Sequence, residues 1–135
     1  MKRVAIQGYR GCFHEQAARD FYSKNDEDIS IVECPTFSGL FTAVREGRAD
    51  AIVMAIENTI SGGLLPNFEL LRANMHKIKG ETYIPIHQNL MALPRQDIHD
   101  IREVRTHYMA INQTRQFFEH NCPWIKMVES EDTAK

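Results

Sequence analysis

Asp50-Ala51-Ile52-Val53-Met54-Ala55-Ile56-Glu57-Asn58-Thr59-Ile60-Ser61-Gly62-Gly63 passes from an almost unbroken apolar run into a polar turn ending in two glycines. An apolar run without alternation reads as a strand over Asp50 to Ile56, buried on both faces as in a parallel sheet. The turn that follows gathers a carboxylate, an amide and two hydroxyls within five positions. Such groups suit a ligand at the carboxyl end of a strand. They also suit a plain capped loop, because Asn, Thr, Ser and Gly are ordinary turn residues. Residue chemistry alone weights the two readings equally.

Upstream, the pattern decides the fold class. Arg3 to Gln7 is a short apolar run closed by Gly8. Phe13, Ala17, Ala18, Phe21 and Tyr22 then recur at helical spacing. Ile29 to Glu33 reads as a second strand ended by Pro35. Thr36 or Ser38 can cap a helix with the apolar face Phe37, Leu40, Phe41 and Val44, and Gly47 stops it. The first 56 residues therefore read β-α-β-α-β with short connections, an open α/β sheet with flanking helices. Downstream, a helix is expected from Leu65 to about Met75, with Pro66 in its first turn and Phe68 and Leu71 on its buried face. Ile78 to Leu93 reads as mostly extended, interrupted by Pro85. A strand near Glu103 to Thr106, a helix from about Met109 to His120 and a strand from Ile125 to Glu129 follow. Ser130-Glu131-Asp132-Thr133 has the hydroxyl and acidic residues of a helix start. That helix has one turn in which to finish, so the expectation is a longer chain that has been cut.

Composition narrows the function classes. Of 135 residues, 43% are hydrophobic and 25% charged, as in a globular protein rather than a disordered one. No apolar run approaches a membrane span, and Met1-Lys2-Arg3 turns polar too soon for a signal peptide. Net charge is −2 with both signs interspersed, which excludes a basic nucleic-acid surface. Three cysteines, Cys12, Cys34 and Cys122, form no close pair, as expected of reduced thiols in a cytoplasmic protein. The six histidines show no His-x-x-x-His, and Cys-x-x-Cys is absent, so no metal site is expected.

Two further turns carry candidate chemistry. Gly8-Tyr9-Arg10-Gly11 follows a strand and precedes a helix, where it can cradle a phosphate or carboxylate with Arg10 as a clamp. It lacks Gly-x-Gly-x-x-Gly, and a plain turn is the commoner meaning of an isolated Gly-x-x-Gly. Glu33 stands where a ribose-binding acid would, which keeps a dinucleotide-binding alternative open. Thr106-His107-Tyr108, with Gln113 on the helix that follows, repeats the strand, polar turn and helix arrangement. His107 can exchange a proton near neutral pH, although a hydrogen-bonded structural histidine is the commoner case. His14, at a helix start, reads as solvated or capping.

These residues together resemble the catalytic region of prephenate dehydratase. The resemblance is carried by Gly8-x-x-Gly11-x-Phe13-x-x-x-Ala17-Ala18, Gly47-x-Ala49-Asp50 and Ile56-Glu57-Asn58-Thr59-x-Ser61-Gly62. Gly80-Glu81, Ile84-Pro85-Ile86 and Thr106-His107 with Gln113 continue it in order over essentially the whole chain. It implies a two-lobed, periplasmic-binding-protein-like α/β fold of open sheets with flanking helices, its second lobe incomplete here. The lobes are expected at 1–80 and 81–135, the latter opening on a crossing strand. The resemblance further implies the conversion of prephenate to phenylpyruvate, carbon dioxide and water in L-phenylalanine biosynthesis, in a cleft between lobes and without a cofactor. It places Glu57, Asn58, Thr106 and Gln113 as catalytic residues and Gly11, Thr59, Ser61, Gly62 and His107 against the substrate. The family is usually dimeric, and an incomplete lobe with exposed sheet edges is expected to associate further, so a homodimer or larger assembly is expected. The departures are Ala55 where the family has proline, Tyr108 in place of the proline of Ser-His-Pro, and Gln88 at a position where histidine is frequent. The family's Thr-Arg-Phe motif, whose threonine is its candidate proton donor, and its regulatory phenylalanine-binding domain are absent from the 135 residues, so the chain is expected to be inactive alone. A non-enzymatic module of the same fold, binding a small carboxylate or amino acid, is the alternative, and arogenate stands beside prephenate as a substrate.

Overall fold

A computed structural model describes residues 1–60 and 62–130. The described residues divide into two units, one ending at Pro85 and the other beginning at Ile86.

In the first unit, strand β1 (Lys2–Gln7) leads through helix α1 (Phe13–Ser23) to β2 (Ile29–Cys34), and then through α2 (Phe37–Arg45) to β3 (Ala51–Val53). These three strands pair in parallel, in the order β2-β1-β3. β1 is the central strand, and its alternation explains the layers. Val4 and Ile6 pack with Ala18 and Tyr22 of α1, while Ala5 packs with Leu40, Phe41 and Ala43 of α2. Each helix thus covers one face, as the expected β-α-β-α-β pattern requires. Ile6, Leu40 and Val4 are the largest fully buried side chains. Each contributes about 1.5–3 kcal/mol by leaving water.

Several boundaries differ from the sequence expectation. β3 ends at Val53 rather than Ile56, and its residues are half-buried, because β3 pairs with β1 alone and their register stops at Ile6 opposite Val53. The chain next forms a small antiparallel hairpin, β4 (Glu57–Asn58) and β5 (Gly62–Gly63), before α3 (Leu65–Asn74). The buried residue of α3 is Asn67, with Leu70 and Leu71 against the core, whereas Phe68 is exposed. Gly80 lies against Phe21, and a Cβ there would come within 2.8 Å of the ring. The stretch expected as a long strand, Ile78 to Leu93, lies outside every strand and helix.

In the second unit a 3-10 turn (Ile98–Asp100), β6 (Glu103–Thr106), α4 (Tyr108–Asn121) and β7 (Lys126–Glu129) follow one another. β6 and β7 pair in parallel, and Phe118, Cys122 and Ile125 form the core with Val104 and Met127. The helix start expected at Ser130-Glu131-Asp132-Thr133 falls, from 131 on, outside the described residues.

Candidate functional site

The order β2-β1-β3 makes a topological switch point between β1 and β3, where the chain's first crossover goes one way and its second the other. Ligands of open α/β sheets bind outside the carboxyl ends of the strands at such a point. The Glu57–Gly63 hairpin stands there. Glu57 pairs with Gly63 and Asn58 with Gly62. The Asn58 side-chain oxygen accepts the Ile60 N–H at 2.9 Å, an Asx turn that shapes the tip. Gly62 has φ +73°, a left-handed conformation that L side chains adopt only with strain. Ser61 lies outside the described residues. Glu57 and Thr59 are exposed and Asn58 is half-buried.

The hairpin is anchored at its base. Leu64 N–H donates to the Ile56 carbonyl at 2.7 Å. Ala55 is held by side chains at both backbone groups: its N–H donates to His14 Nε2 at 3.3 Å, and its carbonyl accepts from Asn67 Nδ2 at 2.7 Å. His14 sits edge-on against Phe37, and Asn67 is 2% exposed. α3 begins immediately after the hairpin, with Pro66 in its first turn and the Asn67 and Phe68 N–H groups donating to the Leu64 carbonyl.

The other loop of the first unit behaves differently. Arg10 N–H donates to Glu33 Oε1 at 2.8 Å, and Gly11 N–H donates to Glu15 Oε2 at 2.8 Å. The Gly11 N–H and then the Arg19 guanidinium hold the Glu15 carboxyl below its usual range. Carboxylates of the protein itself therefore occupy the backbone N–H groups of Arg10 and Gly11. Glu33, exposed at the end of β2, accepts the Arg10 N–H at one carboxylate oxygen. Gly11 offers a backbone turn, φ +85°, and not its N–H.

In the second unit, Thr106 ends β6 with its hydroxyl buried and, among the described residues, without a hydrogen-bond partner. His107 caps α4, its Nδ1 accepting the Met109 N–H at 3.3 Å, so a neutral ring carries its proton on Nε2. Half-buried Gln113 accepts at Oε1 from Gln88 Nε2 at 2.8 Å. That leaves the Gln113 amide N–H groups and the Gln88 carbonyl for other partners. Among the described residues no three His, Cys, Asp or Glu side chains gather to hold a metal. No helix there is long and apolar enough to cross a membrane.

His14, read from the sequence as solvated or capping, is instead half-buried and accepts the Ala55 N–H, and the contacts of Asn67 and Gln88 have no reading in the sequence. Asn67 left one signal, an amide at helical spacing among Leu64, Leu70 and Leu71, where an apolar face was expected.

The prephenate dehydratase family profile matches residues 4–135. The chain belongs to the prephenate dehydratase family. A prephenate dehydratase of Amycolatopsis methanolica is 35% identical over 135 residues, covering 99% of this chain and 43% of that protein. A chloroplastic arogenate dehydratase of Arabidopsis thaliana is 33% identical over 132 residues, covering 98% of this chain and 30% of that protein. The chain thus spans less than half the length of these curated relatives. The crystal structure of an Arthrobacter aurescens prephenate dehydratase in complex with L-Phe superposes with TM-score 0.84 at 27% identity, over 98% of this chain and 43% of that one. GqqA, described as a novel type of quorum-quenching acylase, superposes with TM-score 0.72 at 27% identity, over 98% and 46%. The fold class is the family's periplasmic-binding-protein-like α/β fold, with open parallel sheets and flanking helices.

Proposed function

We propose that this chain serves the decarboxylative dehydration of prephenate to phenylpyruvate, with Glu57, Asn58, Thr106 and Gln113 as catalytic residues. Gly11, Thr59, Ser61, Gly62 and His107 contact the substrate in this reading. The observation that carries it is the hairpin of Glu57 and Asn58 at the sheet's switch point, in a chain of this family.

The chemistry follows from the groups. Prephenate carries two carboxylates and a ring hydroxyl that is a poor leaving group. The carboxylate that departs as carbon dioxide leaves its electron pair to the ring, and the ring expels the hydroxyl, which leaves as water once protonated. Asn58, Thr106 and Gln113 are neutral donors. They can hold a dianion and hydrogen-bond the leaving oxygen without cancelling the electron push, so the barrier falls by positioning and electrostatics. The unpartnered Thr106 hydroxyl supports this reading, because a buried polar atom without a partner is costly unless a ligand supplies one.

The 135 residues contain no Thr-Arg-Phe. Turnover by this chain alone is therefore expected to stay at the level of a Glu57→Ala control, read from the absorbance of phenylpyruvate in base. A rate comparable with a full-length family member would refute the expectation. Assaying arogenate in parallel, by phenylalanine release, separates the two substrates. A second reading, a binding module of the same fold, draws on the same neutral donors; it predicts saturable calorimetric binding and no turnover in any longer form of the protein. A cytoplasmic homodimer or larger assembly belongs to the proposal, and light scattering tests the assembly.

A further inference from the structure

We propose that His14 and Asn67 are positioning residues: together they clamp the peptide groups at Ala55 and so set the direction in which Glu57 and Asn58 leave the sheet. The role in binding rests on the prephenate reading above; the clamp itself does not.

Buried backbone N–H and carbonyl groups need partners. Up to Val53 the ladder with β1 supplies them, but β1 has already turned away into the Gly8–Gly11 loop. Ala55, half-buried, lies past the end of that ladder and before the hairpin pairing that starts at Glu57. Two side chains fill the gap. His14 comes from α1, which packs on the Val4 and Ile6 face of the sheet. Asn67 comes from α3, whose Leu70 and Leu71 join the Ala5, Leu40 and Phe41 cluster on the other face. One residue is thus gripped from both layers, at 3.3 and 2.7 Å, two positions before Glu57.

Neither grip is replaceable by an apolar side chain. Only a ring nitrogen without a proton accepts the Ala55 N–H, so the neutral His14 ring carries its proton on Nδ1. Asn67, almost fully buried, gives its amide N–H to a carbonyl that no strand reaches. The Phe37 ring against His14 limits how the imidazole can turn. With Leu64 N–H on the Ile56 carbonyl, the chain is tied at two consecutive residues before it presents its functional groups.

Nuclear magnetic resonance of the whole chain tests this without any ligand. The Ala55 amide should be protected from hydrogen exchange, and the His14 ring nitrogens should report an unprotonated Nε2. His14→Ala should speed Ala55 exchange about tenfold or more, the worth of one hydrogen bond. It should also shift the Glu57, Asn58 and Gly63 amides. His14→Gln, whose carbonyl can accept, should restore both. Asn67→Leu should shift the same hairpin amides. In an Ala55→Pro background there is no N–H to hold, so His14→Ala should leave the hairpin shifts unmoved; if that background does not fold, the Gln rescue decides. An unprotected Ala55 amide in the parent chain overturns the clamp. So does a His14→Ala effect on the hairpin that Gln does not rescue, or that persists in the Ala55→Pro background. Titration with prephenate then reads the positioning role: hairpin shifts should saturate, with affinity about tenfold weaker in His14→Ala. If prephenate shifts no hairpin amide while the exchange pattern holds, the substrate reading fails and the clamp stands. If prephenate binds equally with and without His14, the positioning role fails.

Discussion

Thr106 and Asp50 show single residues adjusted in opposite directions. Thr106 keeps a hydroxyl 7% exposed as a residue, with no partner among the described residues, where valine would fill the same space without a polar atom. Burying an unsatisfied hydroxyl costs about 1–3 kcal/mol. Thr106→Val should therefore raise stability by about 1 kcal/mol in urea unfolding while weakening prephenate binding. A destabilised variant would show that the hydroxyl is satisfied within the folded chain. Asp50, just before β3, is adjusted for stability. Its carboxylate receives the Arg3 side chain at 2.6 and 3.1 Å and the Arg3 N–H at 2.9 Å, and Arg3 also reaches the Gly47 carbonyl. The Arg3 side-chain and backbone hydrogen bonds hold the Asp50 pKa down at about 2, against an ordinary 3.8. A carboxyl depressed on folding stabilises the folded state above its unfolded pKa, and that contribution is lost as pH falls through the folded value. The stability difference between the parent chain and Asp50→Asn should be level above about pH 4 and should shrink between pH 4 and 2. A difference that stays constant across that window would exclude the ion pair as its source.

At the scale of elements, what the sequence made legible is what has a period. α1 and α2 repeat apolar residues at helical spacing and β1 is a compact apolar run closed by Gly8; these and β2 lie where expected. Thr36 rather than Ser38 accepts the Gly39 N–H at 3.2 Å to cap α2. The hairpin was legible as a polar turn but not as a hairpin. Its strands are two residues long, too short for alternation, and one of them is Gly62–Gly63, with no side chains to show a face. The end of β3 was equally hidden. Met54, Ala55 and Ile56 are as apolar as the strand before them, and only the place where β1 stops decides that they leave the ladder. The burial of Asn67 has the same origin, because its partner is a carbonyl exposed by that early ending. The hairpin's geometry carries a prediction of its own. Gly62 sits at φ +73° with nothing within 4 Å of a built Cβ. Gly62→Ala should therefore cost conformational strain alone, about 1–2 kcal/mol, read as a lower Tm with the core unchanged. A neutral substitution would mean that the turn readily takes another shape.

For the whole molecule, the informative region is the one where pattern and structure part. Ile78 to Leu93 reads as mostly extended, interrupted by Pro85, yet it has no strand partner among the described residues. A strand is a relation between two segments, and no period within one of them supplies the other. Its large side chains stand in the open: Tyr83 is 86% exposed, Met91 81% and Leu93 74%. Apolar side chains at that density mark a surface for contact rather than one for water. Backbone outside helices and ladders is also what a protease can draw into its active site, because few contacts must break first. Lys77, Lys79 and Arg95 are exposed and lie in or beside this stretch, while Arg19, Arg45 and Arg72 are within helices. Brief trypsin treatment of the chain, read by mass spectrometry, should therefore cut first at Lys77, Lys79 or Arg95. Each of these cuts leaves the β2-β1-β3 sheet and its hairpin on the N-terminal fragment and β6, α4 and β7 on the other. First cleavage at Lys24 or Arg48 instead would mean that self-association already covers the stretch, and dilution should then move the first cut back to it.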